Sequence, residues 1–287
     1  MLALVILFFT ACGRSAPEGP DTFPEGGVIA FGPSLTETVY ALGHGERLVG
    51  VSSFVTYPPE AIELPFVGGM TDPNLERIAA LQPRLVLLAG RVPLIEQLGA
   101  RSGFAVRDAT MDTLAQIESG TQTIAQLLGD GAAGERLWAE IAAELRAVEQ
   151  EAAERPRVSV FIAMSRSRGD LNQLFTMGGT SFVHELVALA GGDNIFADAS
   201  QPYLEASKER VLARAPEVII ELQPGAMLDD EARARMRAEW KAMPTLPAVQ
   251  SGRIHILTED YLLIPGPRIG QTARRLFEAI HAGGDTD

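Results

Sequence analysis

The sequence predicts an α/β fold with two lobes joined by a single long helix. Three observations predict it. Short apolar runs alternate with helical patterns in both halves, one long helical stripe lies between the halves, and a twelve-residue pattern occurs once in each half. We expect an N-terminal α/β lobe at 28–130, a connecting helix at 131–156 and a C-terminal α/β lobe at 157–287.

The first half begins with a strand candidate, and Ser34 followed by Glu37 then has the form of a capping box. We therefore expect Ser34 to cap a helix that ends at Gly43. Asp72-Pro73 similarly predicts a cap followed by proline at the first helical position. Strands are predicted at 28–31, 48–53 and 85–89, and helices at 34–42, 72–81, 93–102 and 112–128.

The second half repeats this logic. Strands are predicted at 158–164, 174–177, 218–222 and 253–257, and helices at 181–190, 229–243 and 268–281. Between the halves, apolar residues step by four, four and three along one helical face, ending before Pro156. At about 1.5 Å per residue, such a helix spans about 30 Å and can separate two lobes. A long surface helix of one domain is the alternative.

A twelve-residue pattern beginning at Glu76 can be aligned with one beginning at Glu209. The Glu-Arg pair, the apolar third residue, an alanine, a proline and the following apolar run coincide. If the repeat is structural, Glu76 and Glu209 occupy matching places in the two lobes, which suits a partner with two-fold or pseudo-two-fold symmetry. Chance similarity between common helix-to-strand junctions is the alternative.

Composition and motifs exclude several functions. The net charge of −13 argues against a nucleic-acid partner, because such proteins concentrate Lys and Arg. We find no nucleophile elbow, phosphate loop or His-Glu-x-x-His, so we do not expect an enzyme. The histidines are scattered, which disfavours a site for bare zinc or manganese, and no cofactor is expected apart from a bound ligand.

The amino terminus indicates export. Residues 1–12 combine an apolar run too short to span a bilayer with small residues before Cys12, and they resemble a lipoprotein signal peptide, although Phe9 stands where leucine is usual. Residues 13–27 are rich in Gly, Pro, Ser and acidic residues and are expected to form a flexible tether. We expect an extracytoplasmic monomer, in the periplasm or at the cell surface, anchored to the membrane through lipid on Cys12.

The folded part resembles the periplasmic binding proteins for vitamin B12, iron-siderophores and haem. The resemblance rests on five stretches that together cover nearly everything after the tether: 28–37, 48–59, 73–78, 191–196 and 265–268. It implies the class III arrangement, in which two α/β lobes joined by one helix hold a ligand in the cleft between the lobes and deliver it to the permease of an ABC importer. The stretches at 52–59 and 75–78 are closest to the cobalamin subgroup.

The resemblance also implies roles for particular residues. Glu76 and Glu209 match the glutamates that dock on permease arginines. Phe54 and Tyr203 match cleft aromatics, and Asp260 matches a cleft acid. Two positions depart from the cobalamin pattern, since Met70 stands where Trp is common and Ile264 where Arg occurs. The candidate ligand-binding residues are Ser34, Phe54, Met70, Tyr203, Asp260 and Tyr261.

Other ligands remain open. A ferric siderophore would require cationic side chains in the cleft, for which Arg91, Arg166 and Arg168 are candidates. Haem would use a tyrosine, and Tyr57, Tyr203 and Tyr261 are available. A ligand-sensing lipoprotein without transport is a further alternative.

Overall fold

The computed structural model describes residues 22–166 and 171–283, so the predictions for Cys12, the signal segment and Arg168 lie outside the described residues. The predicted class is confirmed: the described chain contains two parallel sheets in two lobes, with a long helix between them in sequence. None of the helices formed by the described residues is long and apolar enough to cross a bilayer.

The N-terminal lobe is built on a four-stranded parallel sheet in the order β2-β1-β3-β4. Its strands are β1 (Val28–Phe31), β2 (Leu48–Val51), β3 (Leu85–Leu88) and β4 (Ala105–Asp108). Its helices are α1 (Pro33–Ala41), α2 (Pro59–Ile62), α3 (Leu75–Ala80), α4 (Pro93–Ser102) and α5 (Leu114–Leu128). β1 and β3 are buried along their whole length, as expected for central strands of a parallel sheet.

The C-terminal lobe follows α6 (Gly131–Ala153), the predicted connecting helix. Its parallel sheet has the order β10-β9-β5-β7, and β6 pairs with β8 in an antiparallel ribbon. Its strands are β5 (Val158–Ala163), β6 (Leu174–Met177), β7 (Gly192–Asn194), β8 (Tyr203–Ala206), β9 (Val218–Leu222) and β10 (Ile254–Leu257). Its helices are α7 (Phe182–Leu189), α8 (Lys208–Arg214), α9 (Asp230–Glu239), α10 (Pro247–Gln250) and α11 (Ile269–His281).

Two predicted helix starts are wrong. The α1 helix begins at Pro33, so Ser34 lies inside the helix. Gly32 is the N-cap residue, and no side chain caps this end of the helix. The α3 helix begins only at Leu75, because Asn74 accepts the amide hydrogen of Arg77 as its N-cap. Pro73 instead forms a β-bridge with Gly68. In both cases the helix begins at a different residue from the one that the capping signal predicts.

The α6 helix joins the lobes by packing on both. It contacts α5 of the first lobe and α7 and α11 of the second. Its approach to α5 requires a small residue, since a Cβ at Gly134 would lie 2.7 Å from Cβ of Ala125. The stripe residues Ile141, Leu145 and Val148 are buried in one hydrophobic cluster that includes residues of both sheets. The lobes therefore share a continuous core along this helix.

Candidate functional site

Loops that follow strands of the two lobes meet each other. Ser34, after β1, lies against Gly266 of the loop after β10, where an added Cβ would be 3.5 Å from Cα of Ser34. The carbonyl of Asp112 accepts the amide hydrogen of Phe182 at 2.9 Å. Ligands of parallel α/β sheets bind outside the carboxyl ends of the strands. The candidate site is therefore the cleft bounded by these loops.

Arg268 bridges the two lobes within this region. Its Nε and Nη2 donate to Oε2 and Oε1 of Glu37 at 2.9 and 2.7 Å. Its Nη1 and Nη2 donate to Oδ1 and Oδ2 of Asp260 at 2.9 and 3.1 Å. Glu37 belongs to α1 of the first lobe, whereas Asp260 and Arg268 follow β10 of the second. One guanidinium thus binds two carboxylates bidentately, one from each lobe.

Burial and pairing act in opposite directions on these charges. Burial alone would lower the pKa of Arg268, but the hydrogen bonds that it donates to Glu37 and Asp260 outweigh burial and raise that pKa, so Arg268 stays charged. Burial raises the pKa of the Glu37 carboxyl, while Arg268 acts to lower it. This cluster was not predicted from the sequence, because the pattern around Glu37 indicates a capping residue. Nothing in the sequence around Glu37 indicates that its partner is Arg268, which lies 231 residues later.

Exposed apolar and aromatic side chains follow β2 in the first lobe, and one of them, Tyr57, contacts this cluster. Phe54, Tyr57 and Met70 have 76%, 41% and 37% of their surface exposed, so Phe54 and Met70 are not core residues. The Tyr57 ring stacks on the guanidinium of Arg268 at 4.1 Å. Phe54 lies close to Gly69, the residue before Met70, because a Cβ at Gly69 would be 3.6 Å from Cε2 of Phe54. These residues form an exposed apolar surface after β2.

The β6–β8 ribbon contributes aromatic surface from the second lobe. Tyr203 is 47% exposed and lies opposite Met177. Phe175, two residues before Met177, shares its face and is 39% exposed. Phe175 was not predicted as a site residue, because an isolated phenylalanine in a strand usually indicates a core position. Burial raises the pKa of Tyr203, and the negative charge of Asp112 in the first lobe raises it further.

The remaining candidate residues are placed differently. Ser34 is almost fully covered, with 7% of its surface exposed. Tyr261 packs against the core and lies 5.2 Å from the Arg268 guanidinium. It also lines a groove of about 460 Å³ between α6 and α11. A second groove, of about 620 Å³, runs between α9, β10 and α11 and contains none of the candidate residues.

Two of the arginines proposed for a ferric chelate, Arg91 and Arg166, have partners in the structure. Arg166 is buried, donates to Glu221 at 2.8 Å and also pairs with Glu239. Arg91 is exposed and forms two hydrogen bonds with Glu96, at 3.1 and 2.8 Å. Among residues 22–166 and 171–283, no group of three or more His, Cys, Asp or Glu is arranged to hold a metal ion.

The internal repeat has matching local structure in the two lobes. Glu76 and Glu209 are the second residues of α3 and α8, and both are exposed. The residues before these helices, Asn74 and Ser207, cap them in the same way, each accepting the amide hydrogen three residues later. Both helices end before a left-handed residue and a proline and lead into a buried strand. The repeat is therefore structural.

Comparison with known proteins agrees with this architecture. Residues 28–261 match a family model described as periplasmic binding protein. A vitamin B12-binding protein of Vibrio cholerae is 29% identical over 270 residues, covering 93% of this chain and 92% of the relative. The vitamin B12-binding protein of Vibrio parahaemolyticus is 32% identical over 243 residues, with 84% of each chain covered.

Solved structures show the same similarity. The periplasmic vitamin B12 binding protein BtuF of Vibrio cholerae superposes with a TM-score of 0.74 at 28% identity, covering 90% of this chain and 97% of that chain. The periplasmic haem-binding protein RhuT from Roseiflexus sp. RS-1, in apo form, gives 0.73 at 29% identity, covering 89% and 97%. Together with the two lobes and the single joining helix, these matches show that the chain belongs to the periplasmic binding protein family.

Proposed function

We propose that this protein is the substrate-binding component of an ABC importer and captures a bulky metal-containing nutrient, with cobalamin favoured, in the cleft between its lobes. The observation that carries the proposal is the composition of the cleft. Phe54 and Met70 are exposed on the first lobe and Tyr203 on the second, and Tyr57 of the first lobe stacks on Arg268, whose guanidinium binds carboxylates of both lobes. A macrocycle requires apolar walls and a few polar groups that orient it.

Asp260 supports cobalamin in particular. The Asp260 side chain is 38% exposed, and each carboxylate oxygen accepts one hydrogen bond from Arg268. Each oxygen therefore keeps acceptor capacity for the amide N–H groups around a corrin ring. Several relatives that match most of this chain in sequence are named vitamin B12-binding proteins.

Haem is the second candidate, and the phenols favour it. Tyr57 and Tyr203 are exposed on opposite lobes, where either phenol could bind iron. Two of the similar structures are haem-binding proteins at 29% and 26% identity. A ferric siderophore has less support, because Arg166 is buried against Glu221 and Glu239 and Arg91 is paired with Glu96.

The proposal includes delivery of the bound ligand to the membrane permease. Glu76 and Glu209 would each meet an arginine of the membrane permease, since charge pairs at an interface set register and orientation. Lipid on Cys12 would keep a monomeric receptor close to the membrane. Sensing without transport is the alternative, and an adjacent permease and ATPase gene would argue for transport.

The proposal is tested by titrating the purified protein with cyanocobalamin, hemin and a ferric siderophore, followed by calorimetry and absorbance. We expect saturable one-to-one binding of cyanocobalamin that is tighter than binding of the other two. Hemin binding with a tyrosinate absorption band, lost in Tyr57→Phe or Tyr203→Phe, would establish the second candidate instead. Binding of none of the three would overturn both.

A further inference from the structure

The Arg268 guanidinium joins segments that are far apart in sequence and belong to different lobes. Glu37 lies 231 residues before Arg268, in α1, whereas Asp260 lies eight residues before it. Four of the five guanidinium N–H groups are engaged, two by each carboxylate. The planar guanidinium therefore fixes the direction as well as the distance between the two carboxylates.

Burial makes this bridge selective for arginine. The side chains of Arg268 and Glu37 are 11% and 2% exposed. A carboxylate in such a place is stable only while it is paired, so Glu37 requires a cation from the opposite lobe. A lysine would supply charge but not the fork, and could not bind both carboxylates in the same geometry.

The same guanidinium also orients two aromatic rings. Tyr57 of the first lobe lies 4.1 Å from it, and Tyr261 of the second lies 5.2 Å from it. Cation–π contacts of this kind favour particular ring positions. Asp260 and Tyr57, which reach the cleft from opposite lobes, are thus held by one side chain.

We propose that Arg268 is the positioning residue that sets the spacing of the lobes at the cleft, and that through Glu37, Asp260 and Tyr57 it presets the site before any ligand arrives. The spacing part of this inference stands on the contacts above. Its consequence for ligand affinity rests on the proposed function.

Lobe spacing can be measured without a ligand. Ala80 and Ala213 are exposed and occupy equivalent positions in α3 and α8. Spin labels on Ala80→Cys and Ala213→Cys, in the full chain carrying Cys12→Ser, report the distance between the lobes. We expect one narrow distance distribution in the parent protein and a broader, shifted one in Arg268→Lys and in Glu37→Gln.

A matched control lies in α11, the helix that Arg268 precedes. Arg274 also pairs with a glutamate, Glu151 of α6, at 2.6 Å, but that pair is exposed and does not bind the first lobe. Arg274→Gln should leave the distance distribution unchanged. If Glu37→Gln and Arg268→Lys are folded, as judged by cooperative unfolding, and keep the parent distribution, the inference is overturned.

Ligand affinity forms a separate arm. With cyanocobalamin as the probe, Glu37→Gln should weaken binding by about tenfold, whereas Arg274→Gln should not change it. If cyanocobalamin and hemin do not bind the parent protein but the lobe distance still depends on Arg268, the proposed function fails and the spacing role stands. If the ligand binds and the distance does not change, the positioning role fails alone.

Discussion

Gly270 of α11 lies directly against Glu144 of α6, so closely that an added Cβ would be 1.9 Å from Oε2 and 2.7 Å from Cβ of Glu144. The carboxylate can move away, but the Cβ atom is fixed to the helix. This contact is one of those through which the second lobe packs on the connecting helix. It requires the smallest residue at position 270.

Gly270→Ala should therefore destabilise the protein, by about 1–3 kcal/mol, because the two helices must move apart. Denaturant unfolding measures the change. Gly131→Ala is the matched control, since its Cβ would meet only Cγ of Gln126, at 3.7 Å. Adding Glu144→Ala should restore little of the loss, because alanine keeps the opposing Cβ. Unchanged stability of Gly270→Ala would contradict the close approach.

The paired glutamates should affect transport and not ligand binding. Glu76→Ala combined with Glu209→Ala removes an exposed carboxylate from each lobe, so uptake by the cognate importer should fall at least about tenfold while ligand affinity stays nearly constant. Uptake into proteoliposomes and calorimetry measure the two effects.

Glu140→Ala with Glu149→Ala provides the control for charge, because both glutamates are exposed on α6. This pair should leave uptake unchanged. A large loss of ligand affinity in the Glu76 and Glu209 variant would mean that these residues belong to the ligand site.

The exposed aromatic residues should show the reverse pattern. Phe54→Ala and Tyr203→Ala each remove ring surface from the cleft and should weaken ligand binding by about 1–2 kcal/mol, with docking preserved. Tyr203→Phe keeps the ring and should bind nearly as the parent does, unless the phenol is an iron ligand. Met227→Ala alters a fully exposed side chain and should have no effect; equal losses in all of these variants would argue against a specific cleft surface.

His281 should make stability depend on pH. Burial lowers its pKa below the ordinary value of 6.5, against a hydrogen bond to the Ala190 carbonyl that raises it, and the charges of Arg155 and Arg253 lower it further. The unfolded chain therefore binds the proton more readily, and stability is lost as the pH falls through about 6.5 towards the lower folded-state pKa.

The variant His281→Gln retains a hydrogen-bond donor but does not titrate. Between about pH 7.5 and 5.5, its free energy of unfolding should fall less steeply than that of the parent protein. Chemical unfolding at each pH gives both slopes. Parallel slopes would show that another group dominates.

The periodic and apolar parts of the fold could be predicted from the sequence. The stripe of α6 and the apolar run of β9 produce their signal within one element, so no tertiary information is needed. The strands β4, β7 and β8 were missed for the opposite reason. β4 contains Arg107 and Asp108, β7 has three residues, and β8 is largely exposed, so their pairing depends on neighbouring strands.

The candidate site was predictable only where it resembles a known pattern. Phe54, Met70 and Tyr203 are exposed in the structure, which leaves their side chains accessible to a ligand. Glu37 and Arg268 could not be paired in advance, because 231 residues separate them and each had a plausible local explanation. Contacts across lobes are set by the assembled fold, which no local pattern encodes.

The core shared along α6 has a consequence for how such a receptor can be divided. Because one buried cluster runs from the first sheet through the connecting helix to the second, cutting the chain on either side of that helix would leave a large apolar face open to water. Neither half would be a self-sufficient module. Gene fusions or exchanges that alter ligand choice should therefore succeed when they replace surface loops and fail when they swap whole lobes.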